Sequence, residues 1–166
     1  MAAEHNVVRE GIIAGILSAT VIVVWLFIVD AIASHPFFTP MVLGRGLLGF
    51  FGRSSPADSS ALYVVIYTIF HYVAFAIIGI IAAMVVHQAR RTPAILAGFL
   101  IAFVVFEIGF YGLAALLSVS TALGGLAWYQ IGVANLVAAV VMFYFMWARH
   151  PELKRNFTTA LEGRDV

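Results

Sequence analysis

The chain contains no cysteine. That absence removes disulfides, thiolate nucleophiles, cysteine-ligated zinc and iron–sulfur clusters together. Charge is almost as scarce: nine Lys and Arg against eight Asp and Glu leave a net charge of +1 over 166 residues. Nucleic-acid binding driven by bulk charge needs a concentrated basic face, and so drops out. No H-E-x-x-H, G-x-S-x-G or P-loop pattern occurs, and the chemistries that those motifs carry go with them. What remains is apolar. With 63% of residues hydrophobic and 10% charged, the composition belongs to a membrane protein and not to a soluble domain.

Apolar runs of about 20 residues read as membrane-crossing helices. The sequence predicts four, over about 10–33, 61–86, 94–118 and 126–147, forming a single all-α membrane domain. A signal peptide is the rival reading of the first run, because Arg9 precedes it and Ala31-Ile32-Ala33 resembles a cleavage site. Its apolar core, Gly11 to Val29, exceeds the usual span of about 7–15 residues, which favours a retained helix. The long connection 34–60 is broken by His35-Pro36 and Thr39-Pro40, since proline fixes φ and restricts its predecessor. Thr39 then reads as an N-cap with Pro40 at the first helical position of a short external helix, which lies in the interface or tucks back against the bundle.

Arg9, Arg90, Arg91, Arg149, Lys154, Arg155 and Arg164 fall on one side of the spans, and only Arg45 and Arg53 on the other. This bias predicts a multi-pass protein of the cell (inner) membrane with both termini and the tail 148–166 cytoplasmic. Ile12-Ile13-Ala14-Gly15-Ile16-Leu17 resembles Ile95-Leu96-Ala97-Gly98-Phe99-Leu100. Two tandem hairpins would explain the likeness, and so would the restricted composition of membrane helices.

Glu107, near the middle of the third run, is the most informative residue. A carboxylate at that depth costs roughly 2.5–3.5 kcal/mol on insertion scales, so partners are expected around it. At about 1.5 Å per residue, His71 and Asn135 fall within one or two turns of its depth. Tyr111 shares a helical face with Glu107, and Tyr67 one with His71. Asp30 and Gln130 are expected nearer the outer boundary, Asp30 either solvated or paired with Arg45. His87, His150, Arg90 and Arg91 read as a rim of headgroup contacts. Gly98, Ala102, Gly109 and Gly112 form a smooth stripe for close helix approach, with Gly11, Gly15 and Ser18 its expected counterpart. Each polar residue also has a structural role open to it, Glu107 fixing helix register and Asn135 pairing helices.

The loop phrase His35-Pro36-Phe37-Phe38-Thr39-Pro40-Met41-Val42-Leu43-Gly44, Phe106-Glu107 in the third run and the Arg149-His150-Pro151 exit carry a loose resemblance. In overall shape the chain resembles uncharacterised small bacterial four-span membrane proteins of unknown function. Such a resemblance implies a fold and no activity.

Three functions compete. A non-catalytic subunit or scaffold, packing against itself or a larger membrane complex, fits the small size and missing motifs. A proton-linked transporter or conductance would use Glu107 and His71 as a relay. A haem-, quinone- or metal-binding redox subunit is weaker: His71 lacks a second histidine at its depth, and His71, Glu107 and Asn135 make a thin ligand set. No cofactor, metal or nucleic-acid partner is expected; the lipid bilayer is.

Overall fold

The computed structural model describes residues 6–52, 60–89 and 128–150. Among these the chain is helical with no strand: α1 (Val7–Ile32), α2 (Phe38–Phe50), α3 (Ser60–Ala89) and α4 (Trp128–Arg149). Helices α1, α3 and α4 are long and apolar enough to cross a membrane. The expected third span, with Glu107, Tyr111, Gly98, Ala102, Gly109 and Gly112, lies outside the described residues.

Helix α1 begins earlier than hydropathy alone predicts. Asn6 caps it, its side-chain oxygen accepting from the Arg9 amide at 3.1 Å, which satisfies one of the orphan donors of the first turn. At its other end α1 stops in a Schellman motif. Ser34 (φ 63°) takes the left-handed position usual for glycine. Its amide donates to the Ala31 carbonyl, and the His35 amide reaches back to the Asp30 carbonyl at 3.0 Å.

Helix α1 is the hub. It packs on α3 along one side and on α4 along another, while α3 and α4 barely meet. Its buried residues, Glu10, Gly11, Ala14, Gly15, Ser18, Ala19, Ile22, Leu26 and Asp30, recur every three or four positions, the period of one helix face. That face is mostly small or polar, whereas Ile16, Leu17, Val24, Phe27 and Ile28 point outward. Small residues inside and large ones outside is the pattern of membrane helices, where close backbone approach replaces a hydrophobic drive between helices.

The approach is closest between α1 and α3. A Cβ added at Gly15 would run into the Phe75 carbonyl and Ala76 Cα, and one at Gly11 into Ile80 backbone. From the opposite side, a Cβ at Gly79 would meet the Gly11 carbonyl and the Gly15 backbone. Among the described residues the counterpart of Gly11 and Gly15 is therefore Gly79 of the second span; the third-span stripe that the sequence suggests lies outside the described residues. In the sequence Gly79 stands alone among large residues, and only the crossing point shows what it does.

Helix α2 falls within the loop expected between the first two spans and lies against α3. Gly44 makes this possible, since a Cβ there would strike the Tyr63 carbonyl. Phe38, Val42 and Leu43 pack onto the Ile22 and Leu26 cluster, which Ala134 and Ala138 of α4 complete. Phe37, not Thr39, is the N-cap residue; it is left-handed (φ 68°) and offers no side-chain cap.

These contacts predict that Gly15→Leu, which must push backbone against backbone, lowers stability by about 2 kcal/mol or more. Gly49→Ala, with nothing within 4 Å of the added carbon, is expected to be neutral or slightly stabilising. Unfolding in mixed detergent–SDS micelles measures both.

Candidate functional site

Helix α1 reaches its neighbours through polar groups at three levels. At the loop end, the Asp30 carboxylate accepts from the Thr39 amide at 2.8 Å and the Thr39 hydroxyl at 2.7 Å. Asp30 and Thr39 are almost fully buried. The last turn of α1 thus supplies the cap that Phe37 cannot, and places a carboxylate at the positive end of the α2 dipole. The expected alternatives for Asp30, solvation or pairing with Arg45, are replaced by this contact. Arg45 instead lies over the Tyr63 ring, 5.4 Å from its centre. One turn below, the Trp25 indole donates to the Gln130 carbonyl of α4 at 3.1 Å.

The middle level lies near the centre of α1. Ser18 Oγ donates to the Ala138 carbonyl of α4 at 3.0 Å, and the adjacent Ala19 carbonyl lies 3.3 Å from His71 Nε2 on α3. A carbonyl only accepts, so Nε2 carries the proton. Nδ1 then faces the Tyr67 hydroxyl at 3.5 Å, at the outer limit of a hydrogen bond. The ring packs between Tyr67 and Phe75, with centroids 5.5 and 4.7 Å away, and Tyr72 stands edge-on. Thr20 adds a hydroxyl contact to Tyr72 at 3.1 Å while also donating to the Ile16 carbonyl of its own helix. His71 and Tyr67 are thus brought together as the sequence suggested.

Asn135 is not joined to them. It is half-buried at the edge of the α4 face whose buried residues are Ala134, Ala138, Met142 and Met146. With α1 between α3 and α4, the polar partners of His71 among the described residues are Tyr67 and Ala19. Gln130 enters through its backbone carbonyl.

The third level was not foreseen. At the end bearing the N-terminus of α1, His150 Nε2 stands 2.8 Å from Glu10 Oε1, with side chains 2% and 7% exposed. His87 of α3 lies edge-on to His150, centroids 6.4 Å apart. The expectation of His150 as a headgroup contact is therefore corrected: it is buried between helices. A signal was available, because Glu10 opens the first span and His150 closes the last at the same boundary.

Among the described residues no three His, Asp or Glu side chains stand together as a metal site. A shallow cleft of about 260 Å³ between α1 and α4 is lined by Thr20, Val21, Val24, Trp25, Ile28 and Val137. Its walls hold no ionisable group, so it offers little to acid–base chemistry. No family model, no curated protein and no solved structure matches the chain. Its chemistry is read from geometry alone.

If the Asp30 contact anchors α2, Asp30→Ala should cost more than Thr39→Val, about 2–4 against about 1–2 kcal/mol, because it removes both charge-assisted bonds. Faster proteolysis within α2, read by mass spectrometry, should follow the same order.

Proposed function

We propose that this protein is a non-catalytic membrane subunit or scaffold that assembles with itself or with a larger membrane complex. One observation carries the proposal. The inward-facing polar groups on the described helices are engaged in joining helices: Ser18 to Ala138, His71 to Ala19, Asp30 to Thr39 and Glu10 to His150. Groups held this way set helix register and leave little free for turnover. Localisation in a bacterial inner membrane, four spans and cytoplasmic termini belong to the same proposal, supported by the three membrane-length helices and the distribution of Lys and Arg.

The proton-linked alternative has one observation in its favour. His71 is buried near the middle of the bundle, with a phenol beside its second ring nitrogen, an arrangement through which a proton could pass. The two functions separate experimentally. Purified in mild detergent, a scaffold is expected to migrate as an oligomer or with a partner, and Gly109→Leu, in the small-residue stripe, to weaken that association. A monomeric, partner-free particle would defeat the scaffold. Proton flux into liposomes that is lost in both His71→Ala and Glu107→Gln would establish the alternative.

A further inference from the structure

Helix α2 is held where two membrane-length helices end. Thr39 is tied to Asp30, two residues before α1 stops, and Gly44 rests on the carbonyl of Tyr63, the fourth residue of α3. Both anchors lie within about one turn of the end of a span, the level at which hydrocarbon gives way to headgroups. Arg45 follows Gly44 and is exposed. Its guanidinium lies over the Tyr63 ring, a contact that steadies a cation without neutralising it. The carboxylates among the described residues are Glu10, near the other end of α1, and Asp30, which the Thr39 amide and hydroxyl occupy. Arg45 therefore has no acidic counter-ion among the described residues.

Apolar surface flanks this cation on both sides. Beyond it, the last turn of α2 runs clear of the bundle. A Cβ at Gly49 or Gly52 would meet nothing within 4 Å, and Phe50 and Phe51 are 64% and 67% exposed. Before it, Phe37 is half-exposed, its ring 5.2 Å from that of Phe27. The inner side of α2 is already committed to the protein, with Phe38, Val42 and Leu43 packed on the cluster of Ile22 and Leu26. Bare phenylalanines beside a cation without a counter-ion match one kind of molecule, an anion with hydrocarbon attached.

We propose that α2 is a lipid-binding element, in which Arg45 takes the phosphate of an anionic phospholipid while Phe50 and Phe51 sink among the acyl chains of the same leaflet. A guanidinium meets phosphate through paired N–H donors, and the aromatic rings gain by leaving water. A phospholipid supplies the anion and the hydrocarbon together, and at this level of a membrane it is the surrounding solvent.

The absence of native cysteine allows a local test. Gly49→Cys lies one turn beyond Arg45 on the same helix face and leaves both phenylalanines in place. It is labelled with bimane in the full chain, which is reconstituted in vesicles of equal parts phosphatidylglycerol and phosphatidylcholine. Bromine is carried on the acyl chains of one lipid or the other. Bromine on phosphatidylglycerol should quench the label more strongly, with a local preference of about fivefold, as one basic residue at a lipid surface supplies. Arg45→Ala should bring the two quenching levels together, whereas Arg45→Lys, which keeps the charge, should hold them apart. Equal quenching by the two lipids with Arg45 intact would overturn the headgroup site, and so would a difference that survives in Arg45→Ala. Quenching by neither lipid would overturn the proposal outright, since it places the end of α2 in water or against protein.

Discussion

The close passage of α1 over α3 is the constraint on which the described structure depends. Gly11, Gly15 and Gly79 bring two helix backbones together with no side chain between them. Packing at this range gains dispersion contacts along the whole crossing, which matters in lipid because hydrocarbon competes equally for larger side chains. It also fixes the antiparallel register of the two helices. With Gly15 against Phe75 and Ala76, the next turn brings the Ala19 carbonyl within reach of His71 and Thr20 within reach of Tyr72. The mid-helix polar contacts are thus consequences of the glycine crossing.

Backbone carbonyls recur as acceptors between the helices. Ala138, Ala19 and Gln130 each take a side-chain donor from another helix while lying within regular helices themselves. A carbonyl oxygen has a second lone pair, so this use leaves the helical ladder intact. In a medium without water, a donor that reaches such an acceptor avoids the full cost of an unsatisfied polar group. The ends of α1 are tied differently. There carboxylates meet a helix N-terminus at Asp30 and an imidazole at Glu10, and charge replaces the neutral donors found near the centre.

Hydropathy made the helical, membrane-compatible class legible, together with the approximate limits of the first, second and fourth runs. It placed a short helix after Thr39-Pro40, and α2 is there, starting at Phe38. The capping partner was not legible, because the acceptor for Thr39 is nine residues earlier on a different helix. The small face of α1 could be picked out from Gly11, Gly15 and Ser18, yet its partner could not, since one glycine among isoleucines carries no periodic signal. Asn135 is a different case. Depth puts it level with His71 and Glu107; α1 lies between α3 and α4, and Glu107, the group expected to join the two, lies outside the described residues.

By itself the sequence determined the solvent this protein is built for, the positions at which its chain turns, and which few residues could not be left facing hydrocarbon. These follow from transfer energies and backbone restrictions that act locally, one segment at a time. Which helix is central, which glycines meet, and which acid finds which base were decided only by the tertiary structure. Those outcomes depend on the relative rotation and register of separate helices, set by steric contact between groups far apart in the chain.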